Sequence, residues 1–336
     1  MQTTSAPTPA GSVKVMVFGL GYIGRMVVEA IQNENPFWNK KLQLVGAVDI
    51  VPESRQWAEK KGVKAFQSLP DLLEKVRPDV CIHTTASTMA IVVAQLKDLI
   101  EAKVPVVSST EELFFPWEEN PKIAAELDGA CKKSGVAVMG TGVNPGFVMD
   151  VLPAIATQAV HTVDKIRVER VVDASTRRPP LQKKIGAGLD EHTFRTYVET
   201  RRIGPLGLIE SLDFLASHLG WKLNKRSQKI EPILAPKPMK TPIDTIKKGD
   251  VCGLHHRAWA EMDRRNVIEL DLKISLNAER PGDHIMIQGN PPLSIWIEGG
   301  TPGDPATVAA LVRGIPTVLQ AKPGIVRRLE RDHFLQ

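Results

Sequence analysis

Val13-Lys14-Val15-Met16-Val17-Phe18-Gly19-Leu20-Gly21-Tyr22-Ile23-Gly24 decides how the chain is read. A β-branched run ends at the first of three glycines spaced G-x-G-x-x-G. The apolar residues that follow, Ile23, Met26, Val27, Ala30 and Ile31, recur at i, i+3, i+4, i+7 and i+8. Strand, tight turn and one-striped helix together open a dinucleotide-binding fold. Gly19 permits the turn, Gly21 lets a pyrophosphate approach the backbone, and Gly24 lets helix and strand touch. The first helical residues, Tyr22 and Ile23, bring N–H groups and partial positive charge to the phosphates.

Working outward, short β-branched runs alternate with amphipathic stretches as far as Met139, the pattern of parallel strands joined by crossover helices. Expected strands are Val13–Phe18, Leu42–Val48, Val63–Phe66, Val80–His83, Val104–Val107 and Val136–Met139. Ser68 and Asn120 read as N-caps, Pro121 as a first helical residue, and Gly62 and Gly135 as helix stops. Asp49 ends the second strand, 25 residues beyond Gly24, where a carboxylate accepts from the ribose hydroxyls of NAD and repels a 2′-phosphate. Arg55 stands close enough to reach such a phosphate, so NAD is favoured and use of NADP is left open. Thr84, Thr85 and Ala86 close the fourth strand at the ligand edge of the sheet, and Ser87 reads as a helix cap.

After Gly146 the texture changes. A helix-like stretch, Phe147–Thr157, leads to a strand, Lys165–Val172, then to helices near Asp190–Arg202 and Leu206–Leu219. Strands dominate from Val251 to Ile297, with Val251–Met262 and Val267–Leu276 paired antiparallel around Asp263-Arg264-Arg265-Asn266. A last amphipathic helix, Pro305–Gln320, is expected to pack back on the first domain as something other than a crossover. The fold class is α/β: a Rossmann-type doubly wound parallel sheet plus an α+β domain with a mostly antiparallel sheet. Residues 1–12 form a disordered tail, 13–145 the dinucleotide-binding domain, 146–300 a substrate and dimerisation domain, and 301–336 a C-terminal segment.

Composition bounds the function. The 336 residues are 43% hydrophobic and 24% charged, which suits a globular chain and excludes collagenous, coiled-coil and mostly disordered classes. The formal charge of +5 is scattered in short clusters, so nucleic acid is not an expected partner. Three distant cysteines fit neither a disulfide framework nor a metal site, and no apolar run spans a membrane. A cytoplasmic protein without a metal is expected.

Three further groups carry chemistry. Glu111 and Glu112 follow the fifth strand, beside Leu113, Phe114 and Phe115, where one carboxylate suits proton transfer. Gly140-Thr141-Gly142-Val143-Asn144-Pro145-Gly146 ends the sixth strand, and Asn144 offers a donor and an acceptor to cofactor or substrate. Arg170 shares the inward strand face of Ile166 and Val168, odd for a charge unless it is paired. His256 shares its face with Leu254 and Ala258, where a hydrogen-bonded core histidine competes with a substrate contact.

Gly19–Gly24, Ser109–Leu113, Gly140–Phe147, Asp173–Arg178, Gln182–Gly188 and Gly303–Ala309 resemble, in order, segments of the 2,4-diaminopentanoate dehydrogenase family, which includes the native amine dehydrogenases. Its first domain resembles that of dihydrodipicolinate reductase. The resemblance implies NAD(P)-dependent oxidative deamination of an amine or amino acid, reversible as reductive amination with ammonia, in a homodimer built through the second domain's sheet. By position it implies Glu111 as catalytic acid/base, Asn144 as an active-site residue, and Arg170 as a contact for a substrate carboxylate. Phe147 and Thr176, inside matching segments, join His256 as substrate-binding candidates. The C-terminal Ile325–Glu330 departs from the family pattern, away from the expected chemistry. An imine reductase of dihydrodipicolinate reductase type is disfavoured, because the first half of the second domain holds no double-histidine acid motif and His192 and His218 occur there singly. A non-catalytic dinucleotide-binding sensor would form no NADH from an amine.

Overall fold

The computed structural model describes residues 11–33, 41–175, 177, 179–200, 202–203, 207–241 and 245–329. They divide into two compact units: residues 1–113, 120–142 and 304–326, and residues 114–119, 143–303 and 327–336.

The first unit is built on strands β1 (Val13–Phe18), β2 (Leu42–Val48), β3 (Ala65–Phe66), β4 (Val80–His83), β5 (Val106–Ser108) and β6 (Ala137–Gly140). They lie parallel in the order β6-β5-β4-β1-β2-β3, and a short strand, Gly324–Ile325, extends the sheet beyond β6. The Tyr22–Asn33 helix turns Val27, Val28 and Ile31 into the core, with Ile23, Met26 and Ala30 packed at its rim. Ser68 caps its helix by accepting from Asp71 N–H, whereas Asn120 occupies the cap position without a side-chain bond. Gly62 and Gly135 both stand at φ +75°, the left-handed stop that favours glycine.

The Gly303–Gln320 helix corrects an expectation. Its buried face, Val308, Leu311, Ile315 and Val318, joins the parallel sheet's core, with Val312 packed against it, as a helix returning to the first domain requires. Because Gly324–Ile325 pairs parallel with β6, this helix is the crossover of a βαβ unit. Sequence distance hides it, since the second unit is inserted between β6 and the helix.

The second unit carries β7 (Thr162–Asp173), β8 (Lys225–Leu234), a short pair β9 (Met239–Lys240) and β10 (Thr245–Ile246), then β11 (Val251–Met262), β12 (Arg265–Ser275), β13 (Gly282–Asn290) and β14 (Leu293–Glu298). The larger sheet runs β14-β13-β7-β12-β11-β8, antiparallel except for β7 against β12. The β11–β12 connection is a two-residue turn with Asp263 at φ +51° and Arg264 at +64°, so Arg265 and Asn266 belong to the strand. β8 escapes a sequence reading because it is a polar edge strand that tolerates Pro232. The stretch from Phe147 is a turn before a shorter helix, Val151–Ala156, whose start is fixed by Asp150 accepting from Val151 N–H. The Leu208–Leu219 helix is buried along most of its length and packs on β11 and β12.

Candidate functional site

In the first unit the glycine loop is built to admit a ligand at one point and to exclude side chains at the others. Gly19 stands at φ +98°, and a Cβ there would meet Thr84 backbone at 2.9 Å. A Cβ on Gly24 would fall 1.9 Å from Gly19 O, while one on Gly21 would meet nothing within 4 Å. That open space lies beside the N-terminus of the Tyr22–Asn33 helix, whose N–H groups could receive an anion there. Tyr22, next in the helix, is 49% exposed, and Ile23 is partly buried against the core.

Asp49 faces this loop. One carboxylate oxygen accepts from Leu20 N–H at 2.6 Å and the other from Val51 N–H at 2.8 Å, which fixes the carboxylate and keeps lone pairs for two ribose hydroxyls. Arg55 donates to the Asp49 carbonyl at 2.8 Å. A second cation, Arg25, donates to Leu20 O and to Ser54 Oγ and lies 5.1 Å over the Trp57 ring. Only its place directly after the glycine motif could have marked it.

The hydroxyls of the two threonines at the end of β4 make hydrogen bonds within the first unit. Thr84 Oγ1 donates to Gly19 O at 2.7 Å, tying β4 to the loop, and Ala86 O accepts from Thr110 Oγ1 at 2.9 Å. Thr85 Oγ1 donates to Gln95 Oε1 at 2.7 Å, beside His83 Nε2 at 3.0 Å. His83 lies between two polar partners, with Nε2 2.9 Å from Gln95 Oε1 and Nδ1 2.9 Å from Ser108 Oγ, whose own proton goes to Thr110 Oγ1 at 2.9 Å. Burial pushes His83 down to about 4, so this strand-end brace stays neutral.

Glu111 and Glu112 lie in a 3-10 turn, Glu111–Leu113, after the fifth strand. Their carboxylates diverge because successive residues of such a turn point about 120° apart. Glu112 accepts from Met89 N–H at 2.7 Å and so caps the Met89–Glu101 helix. Ser87 does not cap: Thr88 holds that position without a side-chain bond.

In the second unit, Asn144 precedes the Pro145–Gly146 turn, and its Oδ1 is buried with no hydrogen-bond partner among the described residues. Phe147 is 39% exposed. Arg170 is buried and its fork is occupied: Nη1 donates to both Asp283 oxygens at 2.7 and 2.8 Å, and Nη2 to Thr301 O at 2.8 Å. Asp283 in turn accepts from Thr301 N–H at 2.6 Å, so the pair fastens the strand end to the chain before the last helix. A charge that the strand pattern left unexplained is thus paired internally, against the substrate-carboxylate reading. His256 donates through Nε2 to Gln228 at 2.9 Å, while its Nδ1 is buried and unpartnered. Burial pushes it down to about 4, as in a neutral core histidine. Thr176 lies outside the described residues.

Sequence comparison falls on the same segments. Residues 13–139 match the oxidoreductase family with an NAD-binding Rossmann fold, and residues 147–331, more than half of the chain, match the 2,4-diaminopentanoate dehydrogenase C-terminal domain. A 2,4-diaminopentanoate dehydrogenase of Acetoanaerobium sticklandii is 29% identical over 330 residues, covering 93% of this chain and 91% of the relative. An amine dehydrogenase of Streptomyces virginiae is 21% identical over 354 residues, covering 95% and 96%. The solved amine dehydrogenase of Mycobacterium smegmatis superposes with a TM-score of 0.82 at 24% identity over 94% of each chain, a shared fold.

Proposed function

Given that the chain belongs to the 2,4-diaminopentanoate dehydrogenase family, we propose that it is an NAD(P)-dependent amine dehydrogenase, oxidising an amine or amino acid to a carbonyl compound and ammonia and running in reverse as a reductive aminase. The observation that carries this reading is the place of Glu111, in the 3-10 turn that directly follows β5 at the carboxyl edge of the parallel sheet. Its neighbour Glu112 accepts from Met89 N–H at a helix N-terminus.

The cofactor is held by the Gly19–Gly24 loop, with its pyrophosphate at Gly21 and its adenosine ribose at Asp49. When bound, the nicotinamide accepts or donates the hydride. Glu111 takes a proton from the substrate ammonium, freeing the nitrogen lone pair, and releases it to solvent; the regenerated carboxylate then draws a proton from the water that adds to the iminium carbon and returns it to the nitrogen, which leaves as ammonia. Asn144 Oδ1 accepts from the substrate nitrogen, which satisfies an oxygen otherwise buried without a partner. Asp49 favours NAD, and the flanking Arg25 and Arg55 supply the positive charge by which NADP is also accepted.

The protein works as a homodimer in a reducing, cytoplasmic setting, which its three buried free thiols suit. The sheet face of His255, Arg257 and Trp259, opposite the one that buries Leu254 and Ala258, carries Trp296 at 54% exposure and is the dimer surface. Sedimentation should therefore give twice the 36.9 kDa chain mass; a single-chain species at micromolar concentration would exclude it. For activity, the purified chain is offered ammonia, NADH or NADPH, and a panel of keto acids, ketones and aldehydes. Carbonyl-dependent oxidation of the cofactor is expected. Tight NADH binding without turnover on any member would reduce the protein to a dinucleotide sensor.

A further inference from the structure

The turn that presents Asn144 is gripped by two charges of opposite sign. Gly146 N–H donates to both oxygens of Asp150 at 3.1 and 2.9 Å, and Gly146 O accepts from Arg328 Nη1 at 3.0 Å. Asp150 is wholly buried and also accepts from Val151 N–H at 2.6 Å and Ser211 Oγ at 2.7 Å. Burial pushes its carboxyl above the ordinary range, while these hydrogen bonds and the Arg328 charge pull it back. Burial likewise pushes the Arg328 guanidinium down, against the pull of Asp150. Each is the other's counter-charge across one glycine peptide. On the opposite side Pro145 is walled in, since a Cβ at Gly207 would come 2.2 Å from Pro145 Cδ. The next residue up the chain from Pro145 carries the orphaned Oδ1 of Asn144.

Arg328 lies in the C-terminal segment Ile325–Glu330, which the match to the 2,4-diaminopentanoate dehydrogenase C-terminal domain includes, and its bond to Gly146 sets it beside the Asn144 turn. Its neighbour Arg327 anchors the same tail, 4.3 Å over the Trp117 ring in the segment that follows the Glu111–Glu112 turn. We infer that Arg328 is a positioning residue for amine binding: it locks the Gly146 peptide and balances Asp150, so that Asn144 Oδ1 is held still for the substrate N–H. This rests on the reading of Asn144 as the amine contact.

Three variants test it: Arg328→Met, Arg328→Lys and, as control, Arg327→Met. A displaced polar contact of this kind costs on the order of 10- to 100-fold. Arg328→Met should lower kcat/KM for the amine by that amount while leaving NADH affinity unchanged, and Arg328→Lys should recover part of the loss. Arg327→Met removes only a solvent-exposed cation–π contact and should change kcat/KM less than about threefold. Wild-type kcat/KM in Arg328→Met, or an equal loss of NADH binding, overturns the inference. A wild-type chain that turns over no amine refutes the functional reading instead, and the Arg328–Asp150 coupling is then judged by thermal unfolding. As pH falls, Asp150 takes up its proton and no longer needs a counter-charge. Burial raises that titration above the ordinary carboxylate range, so the Tm deficit of Arg328→Met against wild type should shrink as pH is lowered. A deficit independent of pH overturns the coupling.

Discussion

Two alanine substitutions three positions apart in the glycine loop should fail in opposite ways. In Gly24→Ala the new methyl would sit 1.9 Å from Gly19 O and 2.8 Å from Thr84 Oγ1, with the Gly19 carbonyl already fixed by the Thr84 hydroxyl at 2.7 Å. Backbone must move, in the packed junction of β1, β4 and the first helix, and such overpacking costs about 1–3 kcal/mol or more. In Gly21→Ala the methyl meets nothing within 4 Å, and the backbone there is not left-handed. Removing a glycine's freedom in the unfolded chain then leaves stability unchanged or raises it by roughly 0.4–1 kcal/mol. The same methyl stands where the pyrophosphate must approach, so NADH affinity should fall at least about tenfold, or about 1.4 kcal/mol. Thermal unfolding without cofactor and a fluorescence titration with NADH read the two effects separately. Wild-type NADH affinity in Gly21→Ala would remove the loop from the pyrophosphate site, and a wild-type Tm in Gly24→Ala would refute the steric account of the third glycine.

Glu111→Gln should lower turnover by ~10²–10⁴ with cofactor affinity intact, because the amide cannot exchange a proton. Glu112→Ala should instead lower Tm through loss of a cap worth roughly 0.5–2 kcal/mol; steady-state rates and melting curves that show the reverse would exchange the two roles. Asp49→Ala should weaken NAD more than NADP in paired titrations, since it removes the ribose acceptor and exposes the 2′ position to Arg25 and Arg55; equal losses would mean that Asp49 serves only to brace Leu20 and Val51. Burial pushes the Asp213 carboxyl up to about 7 against the Arg226 charge, with Glu118 and Glu119 adding to the push. A folded-state value above the unfolded one means that stability is full when the group is protonated and is lost as pH rises toward 7. Asp213→Asn should accordingly gain on wild type in Tm between about pH 5 and about pH 8, and a difference that stays constant with pH would contradict the burial of that charge.

What was legible in the sequence is what the chain settles within a few residues. The glycine loop, the alternation of β1 to β6 and the stripe of the first helix are short-range patterns, and each appears at or near its expected bounds. Asp49 was readable because a strand's end can be counted from its glycines. The misplaced features depend on distant partners. Gly324–Ile325 is a strand only because β6 lies beside it, which makes the Gly303–Gln320 helix a crossover. Arg170 pairs with Asp283, 113 positions away, and Arg328 reaches Gly146 across 182. No periodicity encodes such matches, because what selects them is the cost of leaving a charge or peptide group buried alone. The sequence could say that Arg170 needed a partner on its inward strand face. Whether that partner would be a carboxylate of the substrate or of the protein turns on a residue in β13, which faces Arg170 directly across the sheet. Local pattern therefore located the strand–glycine turn–helix unit well, whereas the residues that shape the second unit's turns had to be read from the folded chain.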